Sequence, residues 1–304
     1  MSPLVAIVGP TAAGKSNLAL ELCQTFNGEI ISADSRQVYR YMDIGTAKPT
    51  KEEQAAVLHY LIDVVDPDED FSLAMFQSRA LEAVQDIQRR EKTAFLVGGS
   101  GLYVWALLEG WRIPSVPPDP DLRRELEAKA QSAGGGEALY EKLKEIDPAA
   151  AERIDPRNVR RVIRALEVCR QGTQFSELQV KKPFVDSVII GLTTDRDDLY
   201  KRIDTRVDSM IEQGLVQEVE NLVARGYGLG LPSMSGLGYR EIGLYLQGKT
   251  DLPTAIHQIK FDTHSFARHQ YNWFRLKDKR INWFEAGGST SEAVYRFVHQ
   301  FVVN

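Results

Sequence analysis

The eight residues "GPTAAGKS" (9–16) follow directly on the apolar run "LVAIV" (4–8), and this junction constrains the fold more than any other feature of the chain. The spacing satisfies G-x-x-x-x-G-K-[ST] completely. A loop of that kind works between a buried strand and the first turn of a helix. There its glycines let backbone N–H groups converge on an anion that the helix dipole also favours. The apolar run supplies the strand, and "NLALELCQTF" after Ser16 has helical spacing. Gly9, Pro10, Thr11, Ala12, Ala13, Gly14, Lys15 and Ser16 are therefore candidate phosphate-binding residues. Lys15 is the expected counter-charge and the Ser16 hydroxyl the expected ligand of Mg²⁺. Nothing within the loop says whose phosphates it holds.

Three more apolar runs read as strands: "EIISA" (29–33), "TAFLV" (93–97) and "SVIIGLT" (187–193), with "INWFEA" as a short later one. "FSLAMFQSRALEAVQDIQRRE" reads as a helix with Ser72 as its N-cap, and "GGSG" forms a turn before the helix "LYVWALLEG". Strands alternating with helices predict an α/β fold, a P-loop-type parallel sheet flanked by helices. The stretch "PSVPPDPD" (114–121) signals a boundary. Beyond it the spacing predicts helices over 122–133, 137–146 and 159–171 without strands. The expected organisation is a core over 1–113, an all-helical insertion over 114–185, and the core resuming over 186–304 with C-terminal helices.

No stretch approaches the ~18 apolar residues of a membrane span, so no membrane association is expected. The N-terminus lacks the basic flank and cleavage site of a signal peptide. Cys23 and Cys169 each lie in an amphipathic helical pattern and read as buried free thiols, which fits a reducing cytoplasm. Five scattered histidines and no cysteine pair argue against zinc. The net charge of −5 disfavours a nucleic-acid partner on its own, but its distribution matters more. Between Arg153 and Arg170 six arginines face two acids, and between His257 and Arg280 six basic residues face two acids.

An ATPase or GTPase usually carries an acid at the end of a later strand. Here "TAFLV" ends in Gly-Gly, and the acid instead closes the second strand as Asp34. Carboxyl ends of parallel strands line the binding crevice, so Asp34 is expected near the loop, where it accepts a proton from a nucleophile or caps a helix. A base there suits a transferase better than a hydrolase.

The segment "SADSRQVYRYMDIGTAKP" (32–49) resembles the signature of the tRNA dimethylallyltransferases, also called tRNA isopentenyltransferases. "GPTAAGKS", "LVGGSGLY" (96–103), "RRVIRALEV" (160–168) and "RHQYNWFR" (268–275) are similar to further motifs of that family, so the resemblance covers nearly the whole chain. It implies transfer of a dimethylallyl group from dimethylallyl diphosphate to N6 of adenosine 37, beside the anticodon of tRNA, with Mg²⁺. By that resemblance Asp34 is the general base, Lys15 and Arg206 stabilise the departing diphosphate, and Thr11 lies around the dimethylallyl group. Ser100 stands where the family most often has Thr. Asp34, Ser35, Arg36, Gln37 and Ser100 fall to the flipped adenosine, which must leave the anticodon stack to react. Arg123, Arg160, Arg161 and Arg164 of the insertion fall to the anticodon stem-loop. Arg160 and Arg164 share one helical face, suited to phosphates.

Departures from the family pattern are Arg160 in place of Gln, the glycine-rich Ser235-Gly236-Leu237, and His264 and His269 where basic residues are common. The absence of a zinc-finger tail favours the bacterial branch. A cytoplasmic monomer is expected. Competing readings are a prenyltransferase on free adenine nucleotide, a small-molecule P-loop kinase, and a non-enzymatic RNA-binding protein. Trp105, Trp273 and Trp283 are expected to pack in the core or between domains, and His59 to be structural. Tyr39 and Tyr41 are open between the prenyl pocket and simple packing.

Overall fold

The computed structural model describes residues 3–114, 119–179, 181–288 and 290–302. From the N-terminus the chain forms β1 (Leu4–Val8), α1 (Lys15–Thr25), β2 (Gly28–Ser32), α2 (Lys51–Ala56), β3 (His59–Tyr60), α3 (Leu73–Arg89), β4 (Thr93–Val97) and α4 (Gly101–Leu108). Four helices follow: α5 (Pro120–Gln131), α6 (Gly135–Ile146), α7 (Pro148–Ala151) and α8 (Val159–Arg170). The chain then returns to strand with β5 (Ser187–Thr193), α9 (Arg196–Glu212), α10 (Leu215–Ala224), α11 (Tyr239–Leu246), α12 (Leu252–Trp273), β6 (Ile281–Glu285) and α13 (Thr290–Val302). Short side chains start several of these helices. Ser72 accepts from Met75 N, Asp119 from Leu122 N with Pro120 behind it, and Thr50 with Glu53 forms a capping box.

All strand pairs are parallel, in the order β3-β2-β4-β1-β5-β6. β1 and β4 are buried at every position, because helices cover both faces of such a sheet. "SVIIGLT" is consequently the fifth strand and not the fourth. The strand that the sequence hides is β3, whose two residues pair with Ile30 and Ile31 and are too few to carry a period. The carboxyl ends of β1, β2 and β4 lie side by side. They bring the phosphate loop, Asp34 and the Gly98-Gly99 turn to one edge of the sheet.

The chain divides into two units, Met1–Leu108 with Phe184–Asn304, and Glu109–Pro183. Much of the Pro-rich stretch read as a boundary, residues 115–118, lies outside the described residues, as do Met1 and Ser2. The second unit has its own core of Leu122, Leu126, Leu139, Leu143, Val162, Ile163 and Leu166, drawn from α5, α6 and α8.

Cys23 is buried, and burial pushes its thiol well above the ordinary range, but Cys169 is only half-buried in the last turn of α8. Trp105 is buried, whereas Trp273, the last residue of α12, remains 43% exposed with one side of its ring against Gly101. Tyr39 packs in the core, and Tyr41 is on the surface with the Arg225 guanidinium 4.3 Å above its ring.

Candidate active site

The phosphate loop turns into α1 at Gly14, whose φ of 91° is a conformation that a side chain would strain. Lys15 Nζ donates to Pro10 O across 2.6 Å, folding the lysine back over its own loop. Desolvation around the ammonium, reinforced by the Arg206 charge and opposed by Asp34, lowers its pKa to about 7. An anion bound beside it favours the charged ammonium and opposes both lowering effects. Arg206, on α9, donates from Nη1 to Thr11 Oγ1 at 3.3 Å. Its side chain is open to solvent along the cleft, yet the protein around the guanidinium still depresses its pKa.

After β2 the chain enters a loop held by its own polar side chains. Asp34 Oδ1 accepts from Arg36 N at 2.8 Å, so the carboxylate shapes a turn with one oxygen. Ser35 N donates to Ser100 Oγ at 3.2 Å, tying this loop to the turn after β4. The Gln37 amide donates to Thr46 O and Ala47 O and accepts from Ser32 Oγ. Arg36 reaches Pro232 O, Ser233 O and Ser235 Oγ. Lys48 is buried between Tyr39 O, Asp43 and Asp63. From the other side Glu218, on α10, accepts from the backbone N–H groups of Asp43, Ile44 and Gly45 and from the Tyr239 hydroxyl. Burial, followed by the Glu218 charge, holds the Tyr239 phenol well above its usual pKa, so it remains a donor. The stretch "DIGTAKP" is thus a braced wall.

Two cavities open along this wall, of about 130 Å³ and about 300 Å³. Gly14, Lys15, Ser16 and Gln37 line the smaller one, with Leu20 and Ile30 behind them. Ser35, Arg36 and Ser100 line the larger, facing Ile203, Val207 and Met210. Thr11, Asp34, Gly99, Arg206, Phe266 and Gln270 belong to both. An anion site and a second chamber therefore meet at a carboxylate, an arginine and a hydroxyl. That arrangement accommodates a leaving group on one side and a nucleophile on the other.

The family described as IPP transferase matches residues 37–277. The chain belongs to the IPP transferase family. A tRNA dimethylallyltransferase of Roseiflexus castenholzii is 57% identical over 277 residues, covering 90% of each chain. The full-length tRNA isopentenylpyrophosphate transferase of Bacillus halodurans aligns over 100% of this chain and 97% of its own, with 43% identity and a TM-score of 0.74. A eukaryotic dimethylallyltransferase acting on tRNA is 27% identical with a TM-score of 0.82, over 98% of this chain and 78% of that one.

In this IPP transferase the arginines of the helical unit fall into two sets. Arg123 and Arg164 both pair with Glu167, whose carboxylate is fully buried and also accepts from Asp119 N at 2.6 Å. Arg160 and Arg161 are exposed at the start of α8 and form no ion pair among the described residues. Sequence reasoning missed Phe266 and Gln270. Both lie on α12, within or beside "RHQYNWFR", and share a face through their i, i+4 spacing. That spacing was the available signal.

Among the described residues no cluster of three or more His, Cys, Asp or Glu side chains suits a metal. Ser16, the second residue of α1, lines the cavity beside Lys15 and offers a hard oxygen. A diphosphate would supply the remaining hard oxygens, which is the donor type Mg²⁺ takes in phosphate sites. The residues present fit the ion on that basis. No described helix is long and apolar enough to cross a membrane.

Proposed function

We propose that the protein transfers a dimethylallyl group from dimethylallyl diphosphate to N6 of adenosine 37 in tRNA, releasing diphosphate. The observation that carries this reading is the common wall of the two cavities, where Thr11 of the phosphate loop, Asp34 and Arg206 line both. The diphosphate takes the smaller cavity, against the N-terminal end of α1 and Lys15. The flipped adenine takes the larger one, against Ser35 and Ser100.

In the reaction the allylic C1–O bond breaks and the N6–C1 bond forms, while the N6 proton passes to the Asp34 carboxylate. The adenine amino group is a weak nucleophile because its lone pair is delocalised into the ring, so a base that takes its proton helps directly. Charge grows on the departing diphosphate, and the loop N–H groups, Lys15 and Arg206 stabilise it there. Ser16 Oγ would hold Mg²⁺ beside the diphosphate, the ion supplying further neutralisation of the leaving group when bound. Arg36 and Gln37 serve the site as braces of the loop that carries Asp34, with the contacts named above in support. Arg160 and Arg161 contact the phosphates of the anticodon stem-loop, and the enzyme works as a monomer in the cytoplasm, where its tRNA substrate is.

The test is incubation of the protein and Mg²⁺ with labelled dimethylallyl diphosphate and unmodified tRNA, with AMP and ATP in parallel. Label in tRNA at the adenosine beside the anticodon, without ATP, is the expected result. Label in AMP alone would make the protein a prenyltransferase of free nucleotides. ATP turnover without transfer would return it to the kinases.

A further inference from the structure

α12 carries a buried amide with no part in the chemistry described so far. Gln270 is 4% exposed, and both ends of its side chain are committed to backbone far away in sequence. Its Oε1 accepts from Thr11 N at 2.7 Å, and its Nε2 donates to Gly99 O at 3.0 Å. Gly99 lies so close beneath the amide that a Cβ there would collide with Nε2.

The consequence for the phosphate loop is specific. Thr11 N–H is directed to Gln270 and is not one of the groups that converge on the phosphates. Thr11 Oγ1, on the same residue, accepts from Arg206. At the other end of the amide, Gly99 is followed by Ser100, whose hydroxyl accepts from Ser35 N beside Asp34. One side chain therefore ties the leaving-group side, Thr11 and Arg206, to the nucleophile side, Ser100, Ser35 and Asp34. Displacement at C1 depends on the alignment of those two sides, and a misplacement of ~1 Å is enough to cost on the order of 10² in rate.

We propose that Gln270 is a positioning residue that fixes the distance and orientation between the phosphate loop and the Gly99-Ser100 turn, and through them between the diphosphate and the attacking amine. This rests on the transferase reading above.

The variants are Gln270→Glu and Gln270→Asn. The first is isosteric, keeps an acceptor for Thr11 N and loses the donor to Gly99 O. The second is one methylene too short to reach both partners. Single-turnover transfer to tRNA, the dependence of rate on dimethylallyl diphosphate, tRNA affinity and thermal midpoint are measured alongside the unaltered protein. With Gln270→Asn the single-turnover rate at saturation is expected to fall by on the order of 10². KM for dimethylallyl diphosphate and tRNA affinity should stay within about threefold, the pattern of an interaction that matters in the transition state. Gln270→Glu should also slow the saturated rate while retaining tRNA affinity. Wild-type rates in both variants would overturn the proposal. So would a loss recovered by raising either substrate, or failure of both variants to fold, which would make the amide a structural staple. Absence of transfer by the unaltered protein would instead remove the transferase reading itself.

Discussion

Arg206 Nη1 donates to Thr11 Oγ1 across 3.3 Å, joining the helix after the fifth strand to the loop after the first. Both residues line both cavities, so this contact lies where a leaving group and an incoming nucleophile would meet. Arg206 also depresses the pKa of Lys15, which places two cations against the same anion site.

Arg206→Ala should lower the saturated transfer rate by ~10² to 10³, the range typical of removing one preorganised charge donor. tRNA affinity should hardly change. Arg206→Lys should recover only part of the loss, because an ammonium cannot keep the Thr11 contact and face the diphosphate with a second planar donor. The comparison is made by single-turnover kinetics with filter binding of tRNA, and an equal loss in tRNA binding would count against the assignment.

Lys15 gives binding a pH dependence of definite sign. In the free protein its pKa lies at about 7, and a bound diphosphate raises it. Affinity is therefore greatest below pH ~7, where the lysine is already charged, and declines as pH rises toward the pKa of the complex. Calorimetry with inorganic pyrophosphate should show proton uptake by Lys15 near zero at pH 6 and approaching one above pH 8. Subtracting the same titration of Lys15→Met removes the ligand's own ionisation. Identical proton uptake in the two proteins would show that this lysine does not titrate there.

The parts of the site that the sequence made legible are those whose meaning is local. The phosphate loop and Asp34 at a strand end each follow from a handful of adjacent residues. Arg36 and Gln37 show where that reading stops. The chain gives them as two polar residues beside Asp34, but their partners are Pro232 and Ser233 for one, Thr46 and Ala47 for the other. Long-range pairing decides whether such a side chain faces a substrate or braces a loop. β3 was hidden for a different reason, since two residues cannot show alternation. Gln270 was visible only as one letter of a motif until folding brought it between Thr11 and Gly99.

Asp34→Asn separates the chemistry of Asp34 from its structural part. Asparagine still offers an oxygen to Arg36 N, which Asp34 Oδ1 meets at 2.8 Å, and so keeps the turn. It cannot take the N6 proton. The transfer rate should fall by ~10² or more with tRNA affinity and thermal midpoint nearly unchanged. Asp34→Ala should show the same rate loss plus a lower midpoint. Activity of Asp34→Asn close to wild type would leave the carboxylate with only the turn.

Glu29 predicts the acid limb of stability. Its buried carboxylate meets Arg90 through both guanidinium Nη atoms, and also Lys92 and the Tyr60 hydroxyl. Hydrogen bonding from Arg90, against the opposing effect of burial, holds its pKa at about 2 where 4.5 is the ordinary value. The depressed value means that the stabilisation is complete above pH ~4.5 and is lost as pH falls toward 2. Glu29→Gln removes the buried charge and leaves Arg90 and Lys92, both more than a third exposed, so it should lower stability modestly near neutrality. It should also flatten the dependence of denaturant midpoint on pH across that window.

The two sets of arginines in the helical unit should separate in solution. Arg160 and Arg161 are exposed without ion pairs among the described residues, so their charge is available to phosphates. Replacing each by alanine should weaken tRNA binding, lower the slope of log affinity against log salt by roughly one per arginine, and leave the thermal midpoint alone. Arg123 and Arg164 instead neutralise Glu167, which is completely buried. Replacing both strands that carboxylate and should lower stability by roughly 3–5 kcal/mol. Adding Glu167→Gln to the pair should restore much of this, because the uncompensated charge is what makes the loss large. Salt-dependent filter binding and thermal unfolding on the same proteins distinguish the sets. A reduced salt slope for Arg123→Ala together with Arg164→Ala in Glu167→Gln, once stability is restored, would move those two arginines into the tRNA interface as well.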